Sequence, residues 1–332
     1  MSRWPRVTLM ILSLSLTLLA SARAETPPAF ERQWGTTNGL PGSAPGQLWN
    51  PIGLAANSSN QVYVIEAQNH RVQEFTSAGA YVTSWPATTD PDTASGYFAS
   101  PKGIDLDASG NVYVADTQNN RIQKFSASGT FMAQWGTAGK GDGQFDCPFD
   151  VAVDASGFIY VVDTKNYRVQ KLNASGAFVL AWGDSANTAG NFLQPVALDI
   201  DPMSGDVFVS DLYRRNVQRF TSSGGYVGVF VPPGTGAGQT QGPWGLEFDA
   251  AGNLYVVDRG NSRVEKFNSA GTLLSSWGSP GTASGEFDYP AGITVDPAGA
   301  VYVSDIDNRI QKFSYNVPAV PTTWGRLKHL FP

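Results

Sequence analysis

One phrase recurs six times along this chain, and nothing else constrains the fold as tightly. In its second copy it reads Pro101-Lys102-Gly103-Ile104-Asp105-Leu106-Asp107, then Gly110-Asn111-Val112-Tyr113-Val114-Ala115-Asp116, then Asn119-Asn120-Arg121-Ile122-Gln123-Lys124-Phe125, then Phe131 to Trp135-Gly136. The same phrase starts at Pro51, Pro148, Pro195, Pro243 and Pro290, at spacings of 50, 47, 47, 48 and 47 residues. A fixed period of this size marks a solenoid or a propeller, whose units bury their apolar faces against one another. The period names a scaffold and leaves the ligand open.

Each unit reads as four strands. Ile104–Asp107 is a short apolar strand, and Asp107-Ala108-Ser109-Gly110 a turn with Asp first and Gly last, as a type I turn prefers. Val112-Tyr113-Val114 is β-branched and aromatic. Asp116–Asn120 is a polar loop, Arg121–Phe125 alternates in polarity, and Phe131–Trp135 supplies the fourth strand before Gly136–Asp146 crosses to the next unit. No segment carries a helical period long enough to compete. The expected fold is all-β, a six-bladed propeller of four-stranded antiparallel blades.

Phe30-Glu31-Arg32-Gln33-Trp34-Gly35 matches Phe131–Gly136 and Phe178–Gly183, so it is a fourth strand lacking its first three. It is expected to complete the last blade, whose own strands end near Phe313. Thr322-Thr323-Trp324-Gly325 is the rival for that place, but Pro318 and Pro321 disfavour a continuous strand there.

The chain begins with Arg3 and Arg6, an apolar run Val7–Ala20 and a small-x-small site Ala22-Arg23-Ala24. That is the pattern of a secretory signal peptide over residues 1–24. About 14 apolar residues are too few for a membrane span, for which ~20 are needed. The expected organisation is signal peptide 1–24, propeller 25–316 and tail 317–332, in a secreted or periplasmic protein of the cell envelope, expected as a monomer without a membrane span. Cys147 is the sole cysteine, so no intramolecular disulfide can form and packing must hold the ring. A net charge of −6 argues against nucleic acid, whose phosphates demand lysine and arginine.

The repeated phrase Pro-x-Gly-Ile-x-x-Asp, Gly-Asn-x-Tyr-Val-x-Asp, Asn-x-Arg-Ile-Gln-Lys-Phe resembles the NHL repeat, over essentially residues 30–313. The resemblance implies a six-bladed NHL propeller. Such propellers serve as protein- or RNA-binding platforms and as sensor domains, and distant relatives are lyases, so the resemblance does not select one function. The lyases rely on histidines, and this chain has only His70 and His329.

Positions that repeat among the six copies are set by the fold; positions that vary are free for function. Asp116, Asp163, Asp211, Asp258 and Asp305 recur, with Glu66 in the first copy, alongside Arg71, Arg121, Arg168, Arg263 and Arg309. These pairs read as loop braces built from charge-assisted hydrogen bonds. Copy four places Asn216 where arginine is expected, and copy six shortens the loop by one residue. The loops after the second strand and the loops between blades emerge around one mouth of the central channel. Their variable residues are the candidate binding surface: His70, Asn120, Lys165, Tyr167, Tyr213, Arg214, Arg215 and Arg259, with Lys102, Phe149 and Trp244 just after the repeat's proline. Aromatics beside cations suit an acidic or sugar-like ligand, or a protein partner.

Four residues after each proline stand Ala55, Asp105, Ala152, Asp199, Glu247 and Thr294, and Asp150 replaces a small residue two places after Pro148. If these positions face the axis, four carboxylates crowd one tunnel, and like charges that close need a cation, water or neighbouring backbone to share them. One reading is a bound Ca²⁺ held by Asp105, Asp150, Asp199 and Glu247; the other is hydrogen bonding to neighbouring blades or channel water. The leading function is thus a non-enzymatic module binding a protein or small ligand, with no cofactor unless Ca²⁺. The alternative is a Ca²⁺-dependent hydrolase or lyase using Asp105, Asp199 and Glu247.

Overall fold

The computed structural model describes residues 24–35, 39–87 and 89–315. The signal segment up to residue 23, the rival closing strand 322–325 and the tail 317–332 lie outside the described residues. The described chain forms six four-stranded antiparallel sheets arranged as the blades of a ring. Among the described residues no helix is long and apolar enough to cross a membrane.

Blade two shows how the phrase is used. Its strands are Ile104–Leu106, Val112–Asp116, Arg121–Phe125 and Phe131–Trp135. The first ends one residue earlier than its apolar run suggests. Asp107 instead opens the turn, its Oδ1 accepting the Ser109 and Asn111 amides at 3.0 and 2.9 Å, an Asx turn that outcompetes further pairing. The polar loop closes as one 3₁₀ turn over Thr117–Asn119, and Asn120 leaves it in the left-handed conformation.

The innermost strands are Pro51–Ala56, Ile104–Leu106, Pro148–Val153, Pro195–Ile200, Pro243–Phe248 and Ile293–Val295. Each touches the next, and the sixth touches the first, so the ring is shut. The core lies between blades rather than within them: Tyr63, Ile65 and Val72 of blade one pack on Phe98, Ile104, Val112 and Phe125 of blade two. Each fully buried side chain of this kind is worth about 1.5–3 kcal/mol. Outer tryptophans lock onto the following blade. A Cβ on Gly129, whose φ is +81°, would stand 2.5 Å from the Trp85 ring, so only glycine serves both the turn and the packing.

Blade six combines Ile293–Val295, Val301–Asp305 and Arg309–Ser314 with the N-terminal strand Ala29–Gly35. Phe30 pairs with Phe313, Trp34 with Ile310 and Gly35 with Arg309. The ring is therefore closed by the N-terminal strand, as its match to the other fourth strands requires.

Candidate functional site

The recurring acid–arginine pairs are braces. Asp116 accepts from Arg121 Nε at 2.7 Å, Asn119 Nδ2 at 2.9 Å, Gln123 Nε2 at 3.0 Å and the Ala99 amide at 2.8 Å. The guanidinium of Arg121 then donates to the carbonyls of Thr93, Ala94 and Tyr97, tying the loop between blades to the sheet. Glu66–Arg71, Asp163–Arg168, Asp258–Arg263 and Asp305–Arg309 pair in the same way. In blade four the brace comes from Arg214, two residues earlier than expected. Its Nε lies 3.7 Å from Asp211 and its Nη2 donates to the Ala186 carbonyl at 2.9 Å.

The residues that follow the repeat's proline converge on the channel mouth. Phe149 of blade three meets Trp244 of blade five edge to face, with ring centroids 5.4 Å apart. Lys102 Nζ stands 4.8 Å above the Phe149 ring, and the Arg259 guanidinium lies 4.3 Å above Trp244 and 5.2 Å from the Tyr289 ring. Lys102, Phe149, Trp244, Arg259 and Tyr289 thus form one continuous chain of cation and ring contacts from blade two to the loop entering blade six. Burial lowers the basicity of the Lys102 ammonium; the nearby Cys147 thiol opposes that shift and Arg259 adds to it. Burial also lowers that of Arg259, with Tyr289 and Asp288 opposing. Beneath the rings the channel holds a cavity of ≈ 50 Å³, room for a few waters at ~10–15 Å³ each.

Below the mouth lie the four carboxyls. Asp105 Oδ2 accepts the Val153 amide at 2.7 Å, Asp150 Oδ2 the Leu198 amide at 3.0 Å, and Asp199 Oδ2 the Phe248 amide at 2.6 Å. Glu247 accepts from Thr294 Oγ1 at 3.1 Å and the Val295 amide at 3.4 Å. Each carboxyl reaches from its own blade to the first strand of the next. Asp150 has space because Gly103 carries no side chain: a Cβ there would sit 2.2 Å from Asp150 Oδ1. Burial pushes Asp105 up to about 7 and Asp150 up to about 8, against the pull of the donated amides. It also raises Asp199 and Glu247 well above the carboxylate range, helped by the neighbouring acids. Among the described residues no group of three or more His, Cys, Asp or Glu is arranged to hold a metal ion.

A family model for the NHL repeat matches residues 48–75, 98–125, 145–172 and 240–267. The chain carries NHL repeats. The four matched copies are blades one, two, three and five, those whose second loop keeps the arginine at the usual place. Solved structures similar to this NHL propeller include a virginiamycin B lyase from Staphylococcus aureus, 14% identical, covering 86% of this chain and 98% of that one with a TM-score of 0.60. A gluconolactonase from Xanthomonas campestris is 16% identical, covering 89% and 97% with a TM-score of 0.62. A protein of unknown function from Bacteroides thetaiotaomicron is 19% identical, covering 85% and 76% with a TM-score of 0.66. Likeness at these identities is likeness of fold. No curated protein matches the chain.

The other candidate residues of the NHL propeller are dispersed. His70 Nδ1 accepts the Ser100 amide at 2.9 Å, and Asn120 Oδ1 accepts the Cys147 amide at 2.8 Å, so both stitch one blade to the next. Tyr167, Tyr213 and Arg215 are exposed on the mouth-side loops, and Lys165 stands 4.0 Å from Asp146. Tyr289 escaped sequence reasoning. Its signal was an aromatic just before Pro290, where other copies carry Asn50, Ser100, Cys147, Gln194 and Gly242.

Proposed function

We propose that this NHL propeller is an exported, non-enzymatic binding module that takes a protein or small ligand on its channel-mouth face. The observation that carries the reading is the contiguous Lys102–Phe149–Trp244–Arg259–Tyr289 cluster over the channel. Rigid aromatic anchors beside cations are the residue types that dominate binding energy at recognition surfaces. Three of its members replace Ile52, Val196 and Ala291 at positions that the fold leaves free. A His-to-Ala variant of the Staphylococcus aureus virginiamycin B lyase is catalytically inactive. Here the one histidine among the described residues, His70, is engaged by Ser100.

The test is a thermal-shift screen of small molecules on the mature protein, repeated with Trp244→Ala and Phe149→Ala. Ligands that raise the parent's melting temperature are expected to lose that effect in both variants and to be recovered chemically unchanged. Hits that persist in both variants would move the site elsewhere, and conversion of the ligand would overturn the non-enzymatic reading.

A further inference from the structure

Lys102 and Arg259 are the exceptions in a chain that pairs its partly buried cations. Lys124 meets Asp107 at 3.0 Å, Arg219 meets Asp206 at 2.7 Å, Lys266 meets Glu25 at 2.8 Å and Lys312 meets Glu31 at 3.1 Å. The five repeat arginines and Arg214 are braced as described above. Lys171, which lacks a carboxylate, donates to the Ser222 carbonyl at 3.3 Å. Among the described residues Lys102 Nζ and the Arg259 guanidinium have neither a hydrogen-bond acceptor nor a carboxylate within ion-pair distance. Both are half-buried, and they act on each other across the mouth.

The fold does not ask for either. The place of Lys102 is taken by Ile52, Phe149, Val196, Trp244 and Ala291 in the other copies, and that of Arg259 by Ala67, Thr117, Thr164, Leu212 and Ile306. Two unpaired cations, each seated on one ring of the Phe149–Trp244 pair and partly out of water, are costly. Cation–π contacts return about 0.5–2 kcal/mol each and leave the N–H donors free.

We propose that the channel mouth binds the oxyanion of a small soluble ligand, a carboxylate or a phosphate group, between the Lys102 ammonium and the Arg259 guanidinium. The arginine fork suits a planar carboxylate or two phosphate oxygens, and the ammonium adds a point charge with three donors. The cavity beneath the rings has room for only a few waters, so the headgroup stays at the mouth and the remainder of the ligand extends outward past Tyr289, which is 58% exposed. The floor carries no charge to oppose this while its four carboxyls, all raised above the carboxylate range by burial, keep their protons. Asp105 and Asp150 are directed at the Val153 and Leu198 amides, and Asp199 and Glu247 at the next two blades. Asp288 flanks Arg259 beyond ion-pair distance and tempers the site without filling it.

The proposal rests on the mouth being the binding surface and goes further by naming the chemistry. It is tested by titrating the mature protein calorimetrically with inorganic phosphate and with acetate, at constant ionic strength kept with chloride. One saturable site is expected for at least one of the two, and the better ligand identifies the headgroup. Lys102→Met and Arg259→Met are each expected to weaken it 10-fold or more, with unliganded melting temperatures equal to or above the parent's. Absence of saturable binding of both probes up to 20-fold above millimolar protein, or binding unchanged in both variants, overturns the oxyanion assignment. If ligands found by the screen still depend on Trp244 and Phe149 while both oxyanions fail, the face stands and only its chemistry falls. If neither depends on the face, both fail.

Discussion

The Asp105 carboxylate of blade two accepts the Val153 amide of blade three at 2.7 Å. Asp150, Asp199 and Glu247 repeat the contact at the next three seams, so the carboxyls for which the sequence offered a Ca²⁺ site or bonding between blades do clasp blade to blade. Each of the three aspartates also takes the amide of the residue after it, as Asp199 takes that of Ile200 at 2.7 Å, and Asp199 makes the shortest bond across a seam, 2.6 Å to Phe248. Asp199→Ala leaves two channel-side amides without an acceptor, at about 1–3 kcal/mol for a buried unsatisfied group. A loss of about 2–3 kcal/mol is expected, a drop of roughly 4–12 °C at ~2–4 °C per kcal/mol for a domain of this size. Calorimetry checks it; an unchanged melt would mean that channel water replaces the clasp.

The same carboxyls set a pH dependence. Burial raises Asp105 to about 7 and Asp150 to about 8, while an unfolded aspartate titrates near ~3.9. Between those values the folded state holds more protons than the unfolded one, so stability falls as pH rises. The contribution is fully present below the unfolded value and lost once pH has risen through about 8. Denaturation midpoints at pH 5.5, 7 and 8.5 are expected to decline in that order. Asp150→Asn, which keeps an acceptor but cannot ionise, should flatten the decline; a slope equal to the parent's would count against Asp150 as its source.

Blade five breaks another internal rule. Five blades carry glutamine at the third strand's centre, and its amide donates to a loop carbonyl, as Gln170 does to Gln144 at 2.6 Å. Blade five has Glu265, whose Oε1 accepts the Gly238 amide at 2.9 Å while its buried Oε2 has no partner. Burial lifts this carboxyl to about 7. Glu265→Gln restores the missing donor toward the Gln239 carbonyl and removes the unpartnered Oε2, against the loss of the Arg263 Nη2 contact at 3.1 Å, so it should stabilise by about 1 kcal/mol. The gain should be larger at pH 8.5 than at pH 5.5, since the folded pKa is raised and the wild-type side chain loses its stabilising proton as pH climbs. A variant less stable than the parent at pH 8.5 would refute this account.

The blades and their closure were legible because every copy restates the same strand and turn chemistry, and errors in one copy are corrected by five others. The mouth was half legible. Lys102, Phe149 and Trp244 stood out as departures from Ile52, Val196 and Ala291, and Arg259 as a variable loop residue, and the structure brings them together. Arg214 also stood out, yet it supplies the brace that Asn216 cannot, because a shifted arginine still reaches Asp211. His70 and Asn120 are seam ties because a residue left-handed at the end of the loop aims its side chain at the next blade's amide, which spacing does not reveal. The carboxyl clasps were one of two readings the sequence offered, and their amide partners were not legible, because residues 48 or 49 positions apart meet only once the ring is shut.

Ring closure makes the last prediction. The N-terminal strand places Trp34 with its ring centroid 6.0 Å from Phe75 of blade one and 5.9 Å from Tyr302 of blade six, so one side chain spans the seam where the chain's two ends meet. Glu31 adds contacts to Lys312 at 3.1 Å and to Ser314 at 2.6 Å. Trp34→Ala should cost about 3 kcal/mol, the low end for a large aromatic because the ring is half-exposed. Deleting residues 29–35 should cost more, since it also bares the edge of Arg309–Ser314 to intermolecular pairing. The control is a chain ending at residue 315, expected to melt with the parent. If that truncation collapses the protein while the deletion of 29–35 is harmless, the C-terminal segment seals the ring and the N-terminal strand does not.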